Sequence, residues 1–480
     1  MNLFRTKPID TDLKRDTGLK RVLGPVDLTL MGIGAIIGTG IFVLTGIGAA
    51  NYAGPALVLS FILAGSVCTF AALSYAELAS SIGGSGSAYA YGYAGLGEFP
   101  AWIIGWMLIL EYTIAISAVS VGWSGYVANA LTSVGLHLPS SLQHSPFDAG
   151  HPGIINLPSA LIILALGGLL LSGAKLSAMF NAIVVTIKVS VVLLFIAVAA
   201  FHVDPSNWVP FIPPRGLNPQ GHPAFGLQGV VSGASIVFFA YIGFDAVSTA
   251  AEETRNPQRD MPIGILASLL ICTVLYMIVS FLLTGVMPYK LLDTPSPISD
   301  ALLHVGANWA AGLIALGAIA GLTTVMLVLY YALTRILFAV SRDGLLPGFF
   351  AHISPRTRSP SRAIVGMGMI MSLIGGLVPL DKLAELTNMG TLGAFTVVCA
   401  GVLILRNSKP DLPRPFKVPL GPIFPVLGIL GCLYLMANLQ PITWLAFLIW
   451  NGIGLMLYFF YGMTHSLLAK DEAVAPESAT

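Results

Sequence analysis

Apolar runs of about twenty residues, separated by short polar intervals, repeat along the whole chain. They lie near 29–49, 55–79, 99–130, 157–173, 178–202, 226–251, 263–288, 307–338, 363–380, 384–405, 419–438 and 442–463. At 1.5 Å per residue such a run crosses a bilayer as an α-helix, and the count predicts about 12 spans. Barrel strands would alternate every second residue over about ten positions, so the pattern predicts an all-α integral membrane protein. No sizeable soluble domain is left. The longest polar intervals, about 131–156 and 203–225, are rich in Pro, Gly, Ser and His and read as turns or short caps over an extracellular mouth. The tail 471–480 reads as disordered.

Composition agrees: 56% of residues are apolar and only 9% charged, against about 25% charged in soluble domains. With both termini placed in the cytoplasm, 19 of the 23 lysines and arginines fall on the inner side. Arg215, Lys290 and Lys382 fall outside, and Lys188 lies within the membrane. The asymmetry is a strong positive-inside signal, and an even number of spans fits it. A multi-pass protein of the cytoplasmic membrane is therefore expected. The first 24 residues are too polar for a cleaved signal peptide, so the first span is expected to direct insertion. The cysteines Cys68, Cys272, Cys399 and Cys432 all sit in apolar runs without paired spacing, which reads as packing rather than a metal or disulfide. Nothing points to a cofactor or to nucleic acid.

Two features depart from plain spanning helices. The fifth run carries Lys188 about ten residues from its cytoplasmic end, roughly 15 Å deep and too far to snorkel. A charge at that depth costs about 3 kcal/mol on insertion scales, so the fold must compensate it, and the plain reading is a structural ion pair. The first run contains GIGAIIGTGIF (32–42) and the sixth FFAYIGFDA (238–246), followed by the charged exit EETRNPQRDMP (252–262). Four glycines, Gly32, Gly34, Gly38 and Gly40, are either a close-packing face, with Gly34 and Gly38 at GxxxG spacing, or a break. Spans one and six would each open a five-helix half, and paired interruptions at matching places point to a site at the membrane midplane. The freed N–H groups of a half-helix suit an anion, and unwound carbonyls suit a cation. A zwitterionic amino acid carries both.

The segments GIGAIIGTGIF (32–42), SYAELASSIGGSGSAYAY (74–91), FFAYIGFDAVSTAAEETRNPQRDMPIGI (238–265) and SRDGLLP (341–347) resemble the amino acid–polyamine–organocation superfamily, within it bacterial members of the cationic amino acid transporter branch. The resemblance runs from the basic amino terminus through the twelfth span. It implies a LeuT-type fold: a cytoplasmic segment 1–26, a first five-helix repeat 27–202, an inverted second repeat 226–405, two additional helices 419–465 and a cytoplasmic tail 466–480. It also implies secondary active transport of L-amino acids, with the substrate carboxylate on backbone N–H groups around Ile37, Gly38, Thr39 and Gly40. The Thr39 hydroxyl would help, and the amine would meet carbonyls near Ile36, Phe239, Ala240 and Ile242. Phe239 and Tyr241 are gate candidates, or plain packing. Lys188 matches a fifth-span lysine of proton-coupled relatives that stands near a sodium site of the wider fold. It would donate to span-one carbonyls near Gly34 or Ala35, with the proton as coupling ion.

Of the deep acids, Glu111 is a candidate for substrate contact, for a buried hydroxyl partner or for a basic substrate side chain. Asp245 is expected to satisfy backbone donors beside the break. Glu77, Glu252 and Glu253, near the cytoplasmic ends of spans two and six, read as a latch. Met326 and Leu329 share a face of span eight and would give the pocket an apolar wall, suited to small neutral side chains. Symport is therefore the leading expectation, with exchange, cationic substrates and a non-transporting sensor as alternatives. A small single-span helical subunit remains open. A channel fits two broken helices in one chain less well. An enzyme is not expected, because His137, His144, His151, His202, His222, His304, His352 and His465 all lie outside or at the ends of the apolar runs.

Overall fold

The computed structural model describes residues 3–7, 22–82, 88–148, 152–173, 178–218, 221, 223–354 and 359–469. The tail 471–480 and the basic residues Lys14, Arg15, Lys20, Arg21, Lys175, Arg356, Arg358 and Lys470 lie outside the described residues, as do 83–87 of the second motif. Among the described residues eight helices are long and apolar enough to cross a membrane, one of them a stretch, Gly40–Ser81, that joins the second half of span one to span two. Four shorter apolar helices, Pro25–Ile36, Leu157–Leu171, Ser361–Leu377 and Ile423–Ala437, complete the set of 12 spans. The helices of spans four and eleven have 15 residues each, about 22 Å, less than the roughly 30 Å of hydrocarbon. β structure among the described residues is limited to the two-residue pair Gly216–Leu217 and Pro223–Ala224 in the interval between spans five and six.

The packing partners repeat with an offset of five. Span three (Glu98–Ser133) packs on span eight (Asn308–Arg342), two (Leu57–Ser81) on seven (Pro257–Val286), and four on nine. Span three also packs on ten (Leu380–Ser408) as eight does on five (Ala178–Ala199), and one packs on seven as six does on two. Such pairing is what a five-helix unit and its copy produce, and it stands without sequence identity between the halves.

Spans one and six are both discontinuous. The first half of span one ends at Ile36, Ile37 is extended (φ −71°, ψ 100°), and the chain turns helical again from Gly40. Span six runs as Gly226–Val237, tightens into a 3₁₀ turn at Phe238–Tyr241, opens at Ile242 (ψ 136°) and resumes as Asp245–Glu253. Gly243 has φ +115°, a left-handed value that excludes ordinary side chains.

The two breaks nest. A Cβ on Gly40 would lie 2.2 Å from Ala240 Cα, and one on Gly243 would lie 2.9 Å from the Ala35 carbonyl carbon and oxygen. Both sequence readings of the glycines are thus realised, but no single face is shared: Gly32 meets Ser268 of span seven, Gly34 meets Val185 of span five, and Gly38 lies against Val325 of span eight. At the helix ends on the termini side, Val22 and Leu23 N–H groups bond to Glu253 O (2.9 and 3.0 Å) and Arg255 N–H to Leu23 O (2.9 Å), so spans one and six are joined beneath their breaks.

Because the nearest atom to Gly40 is backbone, Gly40→Ala cannot be absorbed by a rotamer change and should cost about 1–3 kcal/mol. A clear drop in the melting temperature of the detergent-purified variant is the expected outcome. Gly312→Ala, inside the helix of span eight where a Cβ meets nothing within 4 Å, should leave that temperature unchanged or raise it slightly, because alanine is the better helix former.

Candidate functional site

The breaks expose polar backbone in the interior, and the structure assigns partners to part of it. Ile37 N–H, expected among the free donors, instead closes the last turn of the first half-helix on Ile33 O at 2.9 Å. The anion set therefore begins one residue later: among the described residues, no backbone acceptor meets the N–H groups of Gly38, Thr39 and Gly40. The Thr39 hydroxyl is fully buried, has no hydrogen-bond partner, and lies against Gly122 of span three, where a Cβ would come within 3.0 Å of its oxygen. Three N–H groups at a helix start and one orphaned hydroxyl form an anion-binding end. Beside them Phe239, Ala240 and Ile242 are all buried, at 5%, 1% and 6% exposure.

The carbonyl side is held from two other helices. Lys188 Nζ donates to Gly34 O at 2.7 Å, and the Tyr276 hydroxyl of span seven donates to Ile36 O at 2.9 Å. The Ile36 carbonyl keeps one lone pair, so an amine there would share it with Tyr276.

Local sequence explains how a lysine reaches span one. Val185, Lys188 and Val191 recur every three residues on one face of span five, and each meets a glycine: Gly34, Gly321 and Gly317 respectively. Gly317 and Gly321, four apart on span eight, form a groove in which the lysine stem lies, its Cγ 3.1 Å from the position a Gly321 Cβ would take. The GxxxG pair at 317–321 and the single tyrosine of the seventh apolar run, Tyr276, were signals available in the sequence.

Tyr241 is committed elsewhere. Its hydroxyl donates to Phe61 O at 2.8 Å, and its ring packs on Phe61 and Tyr276, which leaves Phe239 as the aromatic of the break. Met326 and Leu329 are buried as expected, but the span-eight residue that meets Gly38 is Val325, at 3.5 Å.

Glu111 is fully buried, and neither carboxylate oxygen has a hydrogen-bond partner. It lies 11 residues, about 16 Å along span three, from Gly122. Its polar neighbours are Asp245 and Thr391, beneath the break of span six rather than beside Thr39. Asp245 accepts from the Tyr112 hydroxyl at 2.7 Å through one carboxylate oxygen, while the other meets no hydrogen-bond partner among the described residues, so the expected role on backbone donors is not seen in its hydrogen bonds.

Toward the termini three buried acids, Glu77, Glu98 and Asp343, each hold several donors. Glu77 takes Arg406 in two contacts (2.9 and 2.5 Å) and the Val418 N–H at 2.7 Å, tying spans two and ten to the segment that follows. Glu98 accepts from Tyr93, Tyr458 and Ser466, and Asp343 pairs with Lys7 (2.6 Å) and Tyr89 (2.7 Å). Of the expected latch residues, Glu253 contributes its backbone carbonyl. The Glu252 side chain lies outside the described residues. Among the described residues no group of three His, Cys, Asp or Glu side chains is placed to hold a metal.

Comparison with known proteins fits this geometry. The family model described as amino acid permease matches residues 23–464. The chain is 52% identical to the branched-chain amino acid permease BcaP of Bacillus subtilis, over 97% of this chain and 99% of that protein. It is 48% identical to the methylthioribose transporter of the same organism, over 98% and 100%. It is 40% identical to the vacuolar cationic amino acid transporter 4 of Arabidopsis thaliana, over 85% and 68%. With two discontinuous spans meeting at free backbone donors and the family matched across nearly its whole length, this chain belongs to the amino acid permease family of the amino acid–polyamine–organocation superfamily, a multi-pass membrane transporter of amino acids and not an enzyme.

Proposed function

We propose that this permease carries neutral aliphatic L-amino acids across the cytoplasmic membrane by alternating access, in symport with a proton and with both termini inside. The observation that carries the reading is the anion-binding end at Gly38, Thr39 and Gly40 facing a span-one carbonyl row that Lys188 and Tyr276 already hold. The carboxylate goes to the three N–H groups and the Thr39 hydroxyl. The amine goes to carbonyls of span one and of Phe239–Ile242, and Phe239 closes over the side chain.

Val325, Met326 and Leu329 supply an apolar wall, and a similar protein named a branched-chain amino acid permease supports a substrate of that kind. Glu111, beneath the break of span six, is left to the fold of the span three, six and ten junction in this reading, not to the substrate. The halves 27–202 and 226–405 would move as spans one and six, joined at residues 22–23 and 253–255, tilt against spans three and eight. Lys188 stands where a coupling cation would organise the Gly34 carbonyl, so gain and loss of its proton would alternately make and break that bond.

Uptake of labelled isoleucine, valine, alanine, arginine and methylthioribose into proteoliposomes tests the substrate. Isoleucine or valine uptake that accumulates under an inward proton gradient is the expected result. Selective uptake of methylthioribose, the substrate named in a relative of nearly the same identity, would overturn it. Flux that requires amino acid on the far side and ignores the gradient would make the protein an exchanger.

Thr39→Val keeps the shape of the side chain and removes one hydrogen bond to a charged group, about 1.5 kcal/mol. Substrate affinity of the purified variant should fall roughly tenfold with folding intact, and an unchanged affinity would refute the carboxylate placement.

A further inference from the structure

On the face of the bundle opposite residues 3–7 and 466–468, a cavity of about 210 Å³ opens away from the two breaks. One wall is the end of span one (Tyr52) and the first half of span six (Gln228, Ser232). The other is the start of span ten (Glu385) and the turn between spans eleven and twelve (Asn438, Gln440). An enclosed space of about 150 Å³ already accommodates a benzene-sized molecule, so a solute of several heavy atoms fits.

Both walls carry polar groups, set between the apolar side chains of Ile236, Ala437, Leu439 and Pro441. Glu385 is the one charged side chain of the lining and is only 1% exposed. One of its carboxylate oxygens accepts from the Thr443 hydroxyl at 2.7 Å. The cation nearby, Lys382, stands at the same rim without pairing with Glu385: its amine donates to Gln440 Oε1 of the lining at 2.6 Å and lies 3.8 Å from Asp381. Asp381 and Asp293 both act on Tyr52 at the rim, so acids outnumber bases around the opening by three to one. A buried carboxylate in a solute-sized chamber, with the amide side chains of Gln228 and Asn438 in its lining and its local lysine bonded to Gln440, is the complement of an ammonium group.

We infer that this cavity is an accessory binding site for a small ammonium-bearing solute, the amine held by Glu385 and the amide oxygens of Gln228 and Asn438. A solute seated there touches spans one and six on one side and span ten on the other. It therefore bridges the broken helices to a helix outside them and biases how readily they separate at that face. The site shares no residue with the anion-binding end at Thr39, so it stands or falls independently of the substrate reading.

The test uses the full-length protein with Ser232→Cys in lipid nanodiscs, where both faces are accessible. The four native cysteines are buried, so the introduced thiol reports on the cavity. Its labelling rates with a cationic (ethylammonium) and an anionic (ethylsulfonate) methanethiosulfonate are compared, alone and with methylammonium or alanine present. The cationic reagent should react about tenfold faster, and methylammonium should slow it. Protection by alanine as well identifies amino acids among the solutes, and protection by methylammonium alone restricts the site to simple amines. Adding Glu385→Gln, which keeps an acceptor for Thr443, should abolish both the preference and the protection. Gln228→Ala, an exposed rim position, should weaken protection without touching the fold. Equal rates for the two reagents, absence of protection by either ammonium compound, or protection that survives Glu385→Gln would overturn the inference.

Discussion

A backbone that leaves its helix inside a bilayer must still satisfy its N–H and C=O groups, at several kcal/mol for each one left bare. Spans one and six of this permease both do so, and the rest of the architecture follows from how that debt is distributed. The carbonyl at Gly34 is met by the ammonium of span five and the carbonyl at Ile36 by a tyrosine hydroxyl of span seven. Among the described residues the N–H groups of Gly38, Thr39 and Gly40 meet no backbone acceptor, and in the proposed reading the carboxylate of a substrate satisfies them.

Close packing makes this arrangement possible. The two broken segments approach until Gly40 and Ala240 leave no room for a side chain, while Gly317 and Gly321 open a groove through which Lys188 reaches span one. Buried acids outside the site obey a different logic. Glu77, Glu98 and Asp343 each collect several donors and fasten span ends and chain termini at one face of the bundle. Glu111 differs, since its carboxylate has Asp245 for a neighbour and, among the described residues, only the nearby Thr391 hydroxyl as a donor, which sets the junction of spans three, six and ten apart from those fastenings.

Much of the plan was legible in the chain. Run length and charge placement predicted the spans, and the four glycines of 32–42 with the interrupted segment 238–246 marked both breaks. Lys188 announced itself because a charge in an apolar run has few physical excuses. What could not be read was which groups satisfy which. Ile37 closes a helical turn because the break falls one residue later than the motif suggests. Tyr241 is tied to Phe61 by a contact 180 positions away in sequence. Val325 replaces its neighbour against Gly38, because helix rotation is set by packing rather than by the pattern of apolar residues. Tyr276 and the Gly317–Gly321 groove carried local signals that gain meaning only once span five lies across them.

The account rests on Lys188 acting as a titrating substitute for a coupling ion on span one, and its most direct test separates coupled from uncoupled flux. Lys188→Ala in proteoliposomes should still exchange labelled for unlabelled substrate across the membrane while losing accumulation driven by an inward proton gradient. Accumulation at the wild-type level in that variant would contradict the account and leave the lysine a purely structural donor to Gly34.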